Sequence, residues 1–135
     1  MLPEITLVKS FSFEAAHCLE GYPGNCARLH GHTYRLEVAV KGKVQENDMV
    51  LDFDELKALV KENVIDKVDH YYLNEIFPFR PTCERLLWYF WQALTKALSK
   101  YPHVELEKLI LWETPNSAAV LTRAAVEACK AAHEG

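Results

Sequence analysis

The sequence predicts an α+β sandwich: a four-stranded, mostly antiparallel sheet with two helices packed on one face, in the order ββααββ. Three observations carry this. Two early stretches alternate apolar and polar residues with period two, and the middle of the chain changes to helical spacing twice. Two short alternating stretches joined by a turn then follow. At 135 residues, half of them apolar, the chain is expected to form one domain, 1–135, with a buried core.

The first strand reads from Ile5 to His17. Ile5, Leu7, Phe11, Phe13 and Ala15 share one parity, with Lys9 the exception, while Ser10, Ser12 and Glu14 take the other. His17 has the parity of the two phenylalanines and is expected on the core side at the strand's end. A loop punctuated by Gly21, Pro23, Gly24 and Asn25 leads to a second strand over about His30 to Val40. There His30, His32, Tyr34, Leu36, Val38 and Val40 share a face, so the two strands read as an antiparallel hairpin.

The first helix is carried by Phe53, Leu56, Leu59, Val60 and Val64, with Asp52 and Glu55 spaced as a capping box. The stretch "DHYYLNEIFPFRP" reads as irregular. The second helix starts at Thr82, a good N-cap, has Glu84 in its first turn and runs to about Leu98. "VELEKLILWE" and "SAAVLTR" are two further strands joined by "TPN". The tail, 124–135, is expected to be a loosely ordered extension that forms a terminal helical turn or frays.

Composition narrows the function. A formal charge of −4 argues against a general nucleic-acid surface. No apolar run approaches the ~18 residues that span a bilayer, and "MLPEITLVKSF" lacks the pattern of a secretory leader. A cytoplasmic location is therefore expected, with Cys18, Cys26, Cys83 and Cys129 as free thiols, since none forms a C-x-x-C pair.

The chemistry-bearing stretch is "CARLHGH". Residues two apart on a strand point the same way, so His30 and His32 project from one face, and His17 can converge on them from the partner strand. Three neutral imidazoles are the ligand set of a catalytic zinc ion that keeps an open position. Cys26 as a fourth ligand would instead close the site into a structural Cys-His₃ centre. Structural zinc sites more often use several thiolates, which favours the open site. Cys26 is then free to act as a thiolate beside the metal and Arg28. Asp69 and His70 in "VDHYYLN" form a possible acid/base pair, and Glu113 in "LWETP" is a carboxylate able to grip an amidine-like edge.

"FSFEAAH", "CARLHGH", "LDFDELK", "VDHYYLN", "PTCERL" and "ETP" occur in this order. Together they resemble the 6-pyruvoyltetrahydropterin synthase family over roughly residues 5 to 122, most closely its bacterial 6-carboxytetrahydropterin synthase branch. Three residues between Cys26 and His30 match that branch; the animal-type branch has a longer gap.

The resemblance implies a tunnelling fold that assembles through its sheet edges into trimers and hexamers. It implies Zn²⁺ on His17, His30 and His32, a catalytic set of Cys26, Asp69 and His70, and Glu113 as the pterin anchor. Thr82 and Arg28 are further expected substrate contacts. The implied reaction is a lyase conversion of 7,8-dihydroneopterin triphosphate to 6-carboxytetrahydropterin, on the way to queuosine. Related outcomes are pyruvoyl synthesis or cleavage to a hydroxymethyl pterin. Lys9, Arg28, Arg35 and Arg80 are candidate cations for the triphosphate. Cys83 stands where relatives usually carry a small polar residue.

Overall fold

A computed structural model describes residues 1–24 and 27–134, and its sheet is built outward from two long strands. β1 (Ile5–His17) and β2 (His30–Gly42) pair antiparallel along their whole length, from Ile5 opposite Gly42 to His17 opposite His30. β4 (Val104–Thr114) pairs with β2, and β5 (Ser117–Thr122) closes a hairpin with β4. The period-two pattern sets the faces: Phe13, Tyr34, Leu36, Val38, Leu109 and Leu111 are buried on one side. Phe13 stacks on Tyr34 at 4.8 Å and meets the edge of Phe90 at 6.0 Å.

The α+β class holds, with one more strand than expected. The sheet has five strands in the order β3-β1-β2-β4-β5, because Tyr71–Tyr72 (β3) pairs parallel with Ala15 and Ala16. That pair lies inside the stretch expected to be irregular, which also contains a short helix, α3 (Leu73–Ile76). Leu73 is fully buried and anchors both. Two residues carry no periodicity, so this strand is written in tertiary contacts and not in the local pattern.

The first helix is one continuous run of α1 (Phe53–Val60), a π-helical stretch (Lys61–Ile65) and α2 (Asp66–Val68). Its buried row is Leu56, Val60, Val64 and Val68, a strict spacing of four. At 3.6 residues per turn such a row would drift about 40° around the helix at each step. The wider π turn takes up that drift and keeps all four against the sheet. Phe53 stays exposed beneath the Lys9 ammonium. The Asp52 carboxylate caps the Asp54 N–H at 2.7 Å, so Asp52 is the N-cap as expected but bonds the second helical residue in place of Glu55.

α4 (Cys83–Ala97) starts where expected. The Thr82 hydroxyl accepts from the Arg85 N–H at 3.2 Å, and Leu86, Leu87, Phe90, Trp91 and Leu94 are buried against the sheet. The tail corrects the expectation of a loose extension: α5 (Arg123–Glu134) is a three-turn helix. Val126 is buried in a groove with Trp91, Leu98 and Leu106. Arg123 ties the helix start to Glu105, Glu107 and Glu127. Glu107 sits in a bulge of β4, between the partners of Ala39 and Val40. One apolar residue among alanines and charges gives too weak a stripe to mark this helix from sequence.

Val126→Asp should therefore destabilise the chain by about 2 kcal/mol or more, because a carboxylate without a partner replaces an apolar side chain there. Chemical denaturation checks this; an unfastened tail would give no change.

Candidate active site

His17 ends β1 on the core face, as its parity requires, and is 1% exposed. Register places His30 directly across from it and His32 opposite Ala15, on the same face. The three rings meet edge to face, with centroids 4.5 to 5.1 Å apart. One nitrogen from each lies within 4.8 Å of the others, so this group could hold a metal ion.

Hydrogen bonding fixes which nitrogens face inward. His17 Nδ1 lies 2.9 Å from the Pro81 carbonyl, and His30 Nδ1 lies 2.7 Å from the Arg28 carbonyl. A carbonyl only accepts, so both Nδ1 atoms carry a proton, and in the neutral rings both Nε2 atoms are bare. Those two Nε2 atoms are 2.8 Å apart. Two lone pairs facing at that distance repel unless a cation lies between them. His32 Nε2 is buried and has no hydrogen-bond partner among the described residues. Burial lowers the His32 pKa, the nearby Glu113 opposes that shift, and His17 and His30 add to it. Orphaned imidazole nitrogens, two of them oriented through their far nitrogens by carbonyls, fit a metal.

Glu113 is the extra residue of a second bulge: Trp112 pairs with Ala118 and Thr114 with Ser117, leaving Glu113 between them. Bulges of this kind re-aim side chains beside active sites. The Glu113 carboxylate stands 3.5 Å from His32 Nε2. It lines a cavity of about 540 Å³ with His32, Arg35 and Trp112, and a second of about 300 Å³ with Cys83 and Ala119. Cys83 donates to the Leu111 carbonyl, and burial together with Glu113 pushes its thiol up to about 11. It is a neutral group at physiological pH, consistent with a small polar wall.

Asp69 and His70 sit on the outer edge of β1. Asp69 Oδ1 accepts the Glu14 N–H at 2.9 Å and stands 3.0 Å from His70 Nδ1. The Glu14 N–H, and then His70, hold the Asp69 carboxyl below its usual range. His70 has a left-handed backbone, φ 66°, and donates its N–H to the Glu14 carbonyl. A non-glycine residue in that region is strained, and such strain gathers at functional positions. His70 and His32 line one cavity of about 420 Å³ with Glu14, Thr33, Tyr71 and Tyr72.

The three histidines and Glu113 are brought together, and His70, with Asp69 against it, shares a cavity with His32; two other expected residues take different roles. The exposed Arg28 enters through its carbonyl, and the Thr82 hydroxyl is spent on capping α4. Cys26 lies outside the described residues. Of the candidate triphosphate cations, Arg35 shares a cavity with His32 and Glu113, packed over Trp112 at 5.1 Å. Sequence reasoning passed over the Pro81 carbonyl and the Glu14 main chain, because backbone partners leave no residue-type signal.

Fold and site define a class of protein: a small α+β enzyme with a three-histidine cluster able to hold a metal and an Asp-His pair on the adjoining edge. The chain belongs to the 6-pyruvoyl tetrahydropterin synthase family, whose profile matches residues 6–124, and it is a lyase of the tetrahydropterin synthase type. It is 32% identical to a 6-carboxy-5,6,7,8-tetrahydropterin synthase of Haemophilus influenzae, covering 81% of this chain and 92% of that protein. Identity to the Synechocystis protein of the same name is 41%, over 67% and 75%. A dihydroneopterin monophosphate aldolase of Pyrococcus furiosus is 37% identical over 76% and 83%. The solved Caenorhabditis elegans 6-pyruvoyl tetrahydropterin synthase superposes with a TM-score of 0.78 at 29% identity, covering 90% of this chain and 96% of that one.

Two outcomes follow from this geometry. His70→Gly should be more stable than His70→Ala by about 1 kcal/mol, since glycine removes the left-handed penalty that alanine keeps; paired denaturation curves check the order. Asp69 has a folded pKa below its unfolded one, so its contribution is present above the ordinary carboxylate range and lost as pH falls through the folded value. Asp69→Asn should therefore cost most near neutral pH, and the difference from wild type should shrink on acidification below about pH 4.

Proposed function

We propose that this chain is a zinc-dependent 6-carboxy-5,6,7,8-tetrahydropterin synthase. It takes 7,8-dihydroneopterin triphosphate and water to 6-carboxytetrahydropterin, acetaldehyde and triphosphate, in the supply of 7-deazapurines such as queuosine. The observation that carries the reading is the convergence of three imidazoles on one another, with one of them, His32, lining a cavity that it shares with His70. The names of the Haemophilus and Synechocystis relatives support the branch.

His17, His30 and His32 would hold Zn²⁺, which when bound supplies a Lewis acid for side-chain oxygens of the substrate. Glu113 accepts two hydrogen bonds from the amidine-like edge of the pterin and fixes the ring. Cys26, as thiolate, takes a proton from the side chain. His70, held by Asp69 in one orientation, returns protons to ring or side chain. Triphosphate departs by elimination, and cleavage of the next carbon–carbon bond releases acetaldehyde. The chain works as a homo-oligomer, a trimer or a hexamer of two trimers. The β1 edge beyond its short pairing with β3 and the exposed Val8 and Val120 are suited to such contacts.

The aldolase relative favours one second reading, cleavage to a hydroxymethyl pterin, and product analysis separates the two. Zinc-loaded protein incubated with dihydroneopterin triphosphate should release acetaldehyde and carboxytetrahydropterin by mass; a hydroxymethyl or pyruvoyl pterin would overturn the branch. Cys26→Ala and His70→Ala should each lower turnover by about 10²-fold or more with one zinc per chain retained. Zinc lost from Cys26→Ala would make Cys26 a ligand and the site structural. Sedimentation would report the mass of three or six chains.

A further inference from the structure

Asn74 makes a contact that the chemistry above does not use. Its side-chain oxygen accepts the Cys18 N–H at 2.8 Å, and its amide nitrogen donates to the Cys18 carbonyl at 2.8 Å. A primary amide bonded to both main-chain groups of one residue reproduces a step of sheet pairing. It does so where the sheet runs out. Along the outer edge of β1, Asp69 and His70 bond to Glu14, Tyr71 pairs with Ala15 and Tyr72 with Ala16. Beyond Tyr72 the chain turns into α3 and offers no further strand.

We propose that Asn74 is a positioning residue for the metal site: its side chain carries the parallel ladder past His17 and fixes the main chain on which that ligand stands. The Cys18 N–H sets ψ of His17, and the Cys18 carbonyl sets the direction in which the connection toward His30 leaves the sheet. The His17 ring is held at its far side by the Pro81 carbonyl. With Asn74 in place, both the ring and the backbone of this ligand are fixed. Cys18 is held from the other side as well, since its thiol donates to the Ala27 carbonyl. The clamp also ties the His70 segment to the metal ligands, because residues 69–74 bond to residues 14–18 in one register. This rests on the proposal that the three histidines bind zinc.

The test uses metal binding in place of turnover. Metal-free full-length protein is titrated with Zn²⁺ against a chromophoric chelator, and the Co²⁺ form is read by its visible ligand-field spectrum. Asn74→Ala should weaken Zn²⁺ by about tenfold or more and change the Co²⁺ spectrum. Asn74→Asp can accept from Cys18 but cannot donate to it, so it should fall between Asn74→Ala and wild type. Asn63→Ala, which removes an amide bond to the Leu59 carbonyl within the first helix, should leave both readouts native. Native affinity and spectrum in Asn74→Ala would overturn the proposal, as would losses matched by Asn63→Ala. Should Asn74→Ala fail to fold, Asn74→Asp decides alone, and wild-type binding there would overturn the two-point clamp. A pterin product other than the one proposed would sink the functional reading and leave these metal-binding ratios intact.

Discussion

The end of β1 is held from both sides, by β2 as far as His17 and by the segment 69–74 at Glu14, Ala15, Ala16 and Cys18, and the site depends on that double hold. On one edge β2 brings His30 opposite His17; on the other Asp69 and His70 bond Glu14, Tyr71 and Tyr72 pair with Ala15 and Ala16, and Asn74 bonds Cys18. Hydrophobic burial alone could not achieve this, because it is non-directional and tolerates sliding. A ladder moves in steps of one residue, and each step reverses the faces. A slip of one between β1 and β2 would turn His30 and His32 away from His17 and bury Thr33 in place of Tyr34.

Held in this register, the site is electrostatically unfavourable when empty of positive charge. In the neutral rings two bare Nε2 atoms face each other, and the buried third nitrogen has no partner among the described residues. A proton is a poor remedy at His32, where burial and the neighbouring imidazoles favour the neutral ring. Tyr34 beneath is fully buried, and burial and then Glu113 push its hydroxyl far up, so it brings no second charge. The rigid stack of Phe13 on Tyr34 and the edge of Phe90 keep the imidazoles from relaxing apart. The core below the site thus supplies the energy that holds like groups together above it.

Much of this was legible in the sequence because it follows strand parity. Alternation alone put His17, His30 and His32 on one face, and Thr82 marked the start of α4. What was not legible is what parity does not encode. A two-residue strand such as Tyr71–Tyr72 has no period, and its placement comes from Ala15 and Ala16. The π turn at Lys61–Ile65 hides in a spacing of four that also reads as α. Val126 is a single apolar residue whose partners lie far off in sequence. Pro81 and Glu14 act through main-chain atoms, to which residue type is indifferent. Asn74 stood inside a recognised motif, but its target was a backbone position 56 residues away.

The same division bears on product choice. Relatives named for different products share this fold, so the ladder and the three histidines cannot by themselves select among them. In the proposed reaction they would set where an oxygen-bearing side chain sits. In that reaction Glu113, set by its bulge, would fix the ring. What differs must then come from groups these constraints leave free, namely the connection between β1 and β2 that carries Cys26 and the walls of the cavities around His32 and Glu113. Cys83 is one such wall. As a thiol held neutral by burial and by Glu113, it can shape the pocket without taking or giving a proton, so it does not compete with the Asp69–His70 pair and Cys26 for the acid–base roles proposed for them.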